Sequence, residues 1–130
     1  MCSILILDDD ESIRLLYEEE LTEEGYEVLS ESEGADICEL VSRKRPDLIV
    51  LDLILGDVRG SDILKKLRTK HLPMPVILCS AYPVSPKEAR AMGAHDVVIK
   101  SSDLSELKLK IRKALHANTS ALRLSVPAML

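Results

Sequence analysis

Five short apolar runs punctuate the chain, at residues 3–7, 26–29, 47–52, 76–79 and 96–99, and the stretches between them carry apolar residues at helical spacing. The first run, Ile4-Leu5-Ile6-Leu7, leads into a segment from about 11 to 24 where Ile13, Leu16, Tyr17 and Leu21 share one face before Gly25. That spacing predicts a helix. Tyr26-Glu27-Val28-Leu29 predicts a second strand, and Ala35, Cys38 and Val41 line a second helix that stops before Pro46. Strand 47–52 and the loop Gly56-Asp57-Val58-Arg59-Gly60 come next. Ile63, Leu64 and Leu67 then turn a third helix inward, and Pro73 and Pro75 mark the break before strand 76–79. A short helix from Pro86 to Met92 ends at Gly93 and leads to strand 96–99. Asp103-Leu104-Ser105-Glu106 has the form of a capping box, and Leu104, Leu107, Ile111 and Leu115 make the apolar stripe of a final helix. The pattern lapses at Ala117, so residues 118–130 are expected to be a tail or linker, with Leu122, Leu124, Val126 and Leu130 available to a partner.

Nearly continuous apolar strands are buried on both faces, and their alternation with helices requires right-handed crossovers. The fold class is therefore α/β: a doubly wound, five-stranded parallel sheet with helices on both faces. Ligands of such sheets bind beyond the carboxyl ends of the strands. Polar residues stand at those ends: Asp8 and Asp9 after the first run, Asp52 after the third, Ser80 after the fourth and Lys100 after the fifth. Crowded carboxylates repel unless a cation neutralises them, and hard oxygen ligands suit Mg²⁺. The set points to a metal-assisted phosphate site.

A chain of 130 residues closes one core, and its net charge of -5 with pI near 5.2 weighs against direct nucleic acid binding. Cys2, Cys38 and Cys79 have neither CxxC nor zinc-finger spacing, which fits a reducing, cytoplasmic setting. There is no basic leader and no apolar stretch long enough for membrane insertion. His71, His95 and His116 are scattered, without a ligand or base partner.

Taken together, these residues resemble the receiver (CheY-like) domain of two-component response regulators from about Ser3 to His116. The likeness lies in Asp8-Asp9, the stretch from Asp52 to Gly60, Ser80-Ala81, and Gly93-Ala94 leading to Lys100. It implies a flavodoxin-like strand order 2-1-3-4-5, a receiver domain over 1–117, and Asp52 as phosphoryl acceptor. It also implies Mg²⁺ held by Asp9, Asp52 and the backbone carbonyl of Ile54, with Asp8 sharing in ligation or holding the metal's waters. Ser80 and Lys100 would contact the phosphoryl group. The implied partners are a sensor histidine kinase or histidine phosphotransfer protein as donor, and an output partner or domain that the sequence does not name. The module would not be a metabolic enzyme, although it would assist its own phosphorylation and dephosphorylation.

Several positions depart from the family pattern. Val97 replaces the usual aromatic residue, Ser101 the common proline after the lysine, and Gly56 a frequent proline; Arg59 stands where a small or acidic residue is frequent. The fourth helix is expected to be short, and bulky Ile54 and Tyr82 are expected to shield an acyl phosphate from water. Asp10 reads as a helix cap or a solvated residue. Val97 and Ser101 keep open an interaction module that signals independently of phosphorylation. A phosphohydrolase with an aspartyl-phosphate intermediate lacks its second acid, since Ile54 occupies that place. An FMN-binding flavodoxin conflicts with the acidic loop after the first strand.

Overall fold

The computed structural model describes residues 1–32 and 36–125, with side chains described as far as 117. The elements are β1 (Ser3–Leu7), α1 (Glu11–Glu23), β2 (Glu27–Glu31), α2 (Ile37–Lys44), β3 (Leu48–Asp52), β4 (Ile54–Leu55), β5 (Val58–Arg59), α3 (Gly60–Thr69), β6 (Val76–Ser80), α4 (Pro86–Ala91), β7 (Asp96–Ile99) and α5 (Ser105–Ser125). Five strands form one parallel sheet in the order β2-β1-β3-β6-β7. With the small β4–β5 hairpin set aside, this is the expected 2-1-3-4-5 order. The placement of Ala35 on the second helix lies outside the described residues. The helical backbone of α5 continues through Ser125, past the point where apolar spacing ends, and residues 126–130 lie outside the description.

Side chains alternate across each strand, so every central strand feeds two cores. Leu5, Leu7, Ile49, Leu51, Val76, Leu78 and Val97 pack beneath α2, α3 and α4. Their neighbours Ile4, Ile6, Leu48, Val50, Ile77, Cys79 and Val98 pack beneath α1 and α5, where Tyr17, Leu21, Leu107 and Ile111 meet them. Each fully buried Leu or Ile contributes about 1.5–3 kcal/mol relative to exposure, which makes the β1–β3–β6 centre the rigid base of the site.

Local chemistry sets the element ends. Asp10 caps α1 by accepting the Ser12 and Ile13 amides, and Ser85 caps α4 by accepting the Glu88 amide. At α5 the expected capping box does not form. Asp103 accepts the Ser105 amide, but its own amide goes to Ser101 Oγ, and Glu106 pairs instead with Lys110. The stretch read as a loop between Gly56 and Gly60 is mostly an antiparallel hairpin, in which Ile54 pairs with Arg59 and Leu55 with Val58. Two-residue strands are too short to leave a periodic signature, so the pattern did not reveal them.

Two basic side chains do structural work. Arg68, on α3, donates to the carbonyls of Leu72, Met74 and Gly93, tying the approach to β6 to the turn before β7. Lys110, on α5, reaches β7, where its Nζ meets the Val97 carbonyl at 2.6 Å and Asp96 Oδ1 at 3.3 Å.

Candidate functional site: an acidic cluster at the sheet edge

The central strands deliver the predicted residues to one place. Asp8 follows β1 and Asp52 ends β3; these carboxylates and that of Asp9 place one oxygen each within 4.8 Å of the others. Lys100, just past β7, bridges two of them, with Nζ at 2.8 Å from Asp52 Oδ2 and 3.1 Å from Asp8 Oδ2. Asp52 Oδ1 accepts the Ile54 amide at 3.3 Å, and Asp8 Oδ1 accepts the Asp10 amide at 2.9 Å. In the sheet register Asp52 stands opposite Cys79, so Ser80 lies one residue beyond the position of Asp52. Ser80 Oγ accepts the Tyr82 amide at 3.0 Å, and its carbonyl accepts the Lys100 amide at 2.7 Å. Every residue expected at the site is in this neighbourhood.

Asp8 is 2% exposed, Asp52 6% and Ser80 1%, whereas Asp9 is open to solvent. Burial, reinforced by the Asp8 charge, raises the Asp52 carboxyl above its ordinary range despite the opposing pull of Lys100 and the Ile54 amide. Burial alone would lower Lys100, but its contacts with Asp52 and Asp8 raise it. Cys79 is buried beside Tyr17, and burial pushes its thiol up to about 12, so it stays protonated and inert. Three carboxylates against one ammonium leave excess negative charge on an all-oxygen donor set. That donor set fits a hard divalent cation.

The raised Asp52 value carries a stability prediction. A carboxyl that binds its proton more tightly when folded than when unfolded makes the folded state more stable as pH falls through the carboxyl range. Ionised Asp52 therefore opposes folding at neutral pH. In Mg²⁺-free buffer at pH 7, Asp52→Asn is expected to melt above wild type, with the gap closing as pH falls towards 4. Melting curves across that range check it, and a variant that melts below wild type at pH 7 would contradict it.

A family model for the response regulator receiver domain matches residues 4–112. The chain belongs to the response regulator receiver family. The transcriptional regulatory protein KdpE of Mycobacterium tuberculosis is 35% identical over 131 aligned residues, covering 99% of this chain and 58% of KdpE. Sporulation initiation phosphotransferase F of Bacillus subtilis is 32% identical over 114 residues, covering 86% of this chain and 92% of that protein. The crystal structure of response regulator TrrA from Thermotoga maritima in complex with Mg²⁺-BeF superposes with TM-score 0.79 at 32% identity, covering 88% of this chain and 99% of that one. The receiver spans about half the length of several curated regulators it matches, 58% of KdpE and 48% of ycf27 of Porphyridium aerugineum.

In this receiver the structural roles of three residues near the cluster escaped the sequence reading. Arg14, on α1, donates to the Asp8 carbonyl at 2.7 Å and fastens the turn that carries the acidic pair. The Gly56 amide reaches Asp9 Oδ2 at 2.9 Å. Gly60 presses against the Asp52 backbone: a Cβ there would lie 2.4 Å from the Asp52 carbonyl oxygen and 3.1 Å from Leu53 Cα. Gly60→Ala is therefore expected to cost about 1–3 kcal/mol, the usual range for overpacking, and to displace Asp52. Denaturant unfolding reads the cost, and a change below about 0.5 kcal/mol would mean that the α3 start yields freely.

The departures from the family pattern have local structural counterparts. Val97 is buried in the core beneath α4, and the Lys100 turn is shaped by Ser101 Oγ accepting the Asp103 amide at 3.1 Å. The fourth helix is short, Pro86–Ala91, as its sequence suggested.

Proposed function

We propose that this receiver is a phosphorylation-dependent switch that accepts a phosphoryl group on Asp52 in a Mg²⁺-dependent reaction. The observation that carries the reading is the buried Asp52 carboxylate, one oxygen on Lys100 Nζ at 2.8 Å and the other on the Ile54 amide at 3.3 Å, inside the acidic cluster. Asp8, Asp9, Asp52 and the Ile54 carbonyl are the ligands proposed for Mg²⁺, which when bound would withdraw charge from the phosphoryl oxygens.

The chain's own residues have distinct tasks. An Asp52 oxygen forms a bond to phosphorus as the donor's P–N bond breaks and the imidazole leaves with the electron pair. Lys100 holds Asp52 before transfer and can then pair with a phosphoryl oxygen, while the Ser80 hydroxyl donates to another. The acyl phosphate brings negative charge and new acceptors to the ends of β6 and β7, which biases the surface formed by α4, β7 and α5. The proposed donor is a sensor histidine kinase or a histidine phosphotransfer protein, and the altered surface meets a separate output partner or domain. Residues 1–117 form the switch in this reading, with 118–130 as tail or linker. The same reading has the receiver act in the cytoplasm without binding nucleic acid directly. Among the described residues no helix is long and apolar enough to cross a membrane. The names of KdpE and sporulation initiation phosphotransferase F support a signalling role.

The test is intact mass after incubating wild type and Asp52→Asn with a small acyl-phosphate donor, with and without Mg²⁺. Mg²⁺-dependent gain of one phosphoryl group by wild type alone is expected. If wild type neither gains mass nor binds Mg²⁺, the reading fails in favour of an interaction module that signals independently of phosphorylation.

A further inference from the structure

Of the three clustered carboxylates only Asp9 is exposed, and an exposed carboxylate samples several rotamers unless something holds it. Here Asp9 Oδ2 accepts the Gly56 amide at 2.9 Å. One such bond leaves the other oxygen and most of the lone-pair sites free for a cation. Outer partners of this kind orient metal-ligating groups, and their loss typically weakens metal affinity about 10–100-fold.

Position 56 is the first residue of the two-residue turn between β4 and β5, and its φ is +56°. The hydrogen bond therefore needs a residue that tolerates positive φ and keeps its N–H. Proline, common here in the family, satisfies neither condition.

The geometry points to Gly56 as a positioning residue for the metal centre: its amide fixes the Asp9 carboxylate and couples Mg²⁺ occupancy to the order of the β4–β5 hairpin. This inference rests on the Mg²⁺ site proposed above. Coupling is reciprocal, so a hydrogen bond that raises Mg²⁺ affinity is itself strengthened when Mg²⁺ binds. The hairpin carries exposed Ile54 and Val58, so the cation would settle the apolar rim that an incoming phosphodonor meets.

Two measurements on the full chain test it. In Mg²⁺ titrations by calorimetry, Gly56→Asn, which keeps the N–H and suits positive φ, is expected to bind as wild type does, and Gly56→Pro about tenfold more weakly or worse. In wild type, hydrogen exchange of the Gly56 amide is expected to slow when Mg²⁺ is added. Equal affinity of Gly56→Pro and wild type, equal losses in both variants, or exchange that Mg²⁺ leaves unchanged or accelerates would each overturn the inference. Should Gly56→Pro fail to fold, the exchange measurement alone decides. A wild type that binds no Mg²⁺ removes the metal reading and this inference together, whereas failure at Gly56 with normal wild-type binding removes only the inference.

Discussion

Lys100→Met is expected to destabilise the Mg²⁺-free protein by about 2–3 kcal/mol and to make its stability unusually responsive to Mg²⁺. The Lys100 ammonium lies at 2.8 and 3.1 Å from the buried Asp52 and Asp8 carboxylates, and its side chain is 21% exposed. Breaking a buried ion pair costs about 3–5 kcal/mol because the surviving charge stays buried without a partner; partial solvent access to the ammonium places this case lower. The shift in Tm would be on the order of 10 °C for a domain of this size. Mg²⁺ should recover most of the loss by replacing the missing positive charge, and acidification into the carboxylate range should recover part by neutralising one carboxylate. Wild type should gain less from either treatment, since its Lys100 ammonium, raised by its contacts with Asp52 and Asp8, stays charged until alkaline solution. Calorimetric melts with and without Mg²⁺ check this. An unchanged Tm in the Mg²⁺-free variant would mean that solvent already screens the cluster.

The second large effect concerns the lifetime of the proposed phosphorylated form. Ile54 and Tyr82 are 54% and 65% exposed, yet the Ile54 amide is held by Asp52 and the Tyr82 amide by Ser80, so both side chains are rooted at the rim of the site. Ile54 offers no side-chain group that could orient a water, and Tyr82 adds bulk on the Ser80 side of the rim. Slow hydrolysis of the Asp52 acyl phosphate is expected. Ile54→Asn, which supplies an amide able to position water, should speed decay about tenfold, equivalent to roughly 1.4 kcal/mol off the barrier. Tyr82→Ala should act in the same direction by opening the rim. Decay of phosphorylated protein, followed by intact mass after the donor is removed, gives both rates. Unchanged lifetimes in both variants would remove Ile54 and Tyr82 as the shield.

The site was legible because its side chains stand directly after strands whose apolar runs are unmistakable: once the strands are parallel, their carboxyl ends must meet. Asp10 was legible as a cap for a similar reason, being a side-chain acceptor just before an apolar-periodic stretch. The contacts that escaped depend on backbone groups. Arg14 binds the Asp8 carbonyl, Arg68 binds the carbonyls of Leu72, Met74 and Gly93, and the Gly56 amide binds Asp9. Residue type says little about which carbonyl lies within reach of a long guanidinium, and nothing about where a glycine amide points. Gly60 stood out in sequence as part of a family signature, but its physical role, the close approach to the Asp52 backbone, emerges only in three dimensions.

The Lys110 contact also bears on how the receiver can associate. β7 is an edge strand, and an open edge is a template on which another strand can add. Here the Val97 amide is taken by Asp96 Oδ1 at 2.8 Å and the Val97 carbonyl by Lys110 Nζ at 2.6 Å, so the middle of that edge is blocked by the chain's own charged side chains. A partner arriving beside α5 must therefore recognise side chains rather than extend the sheet, and this border is protected against the strand-by-strand stacking that begins aggregation.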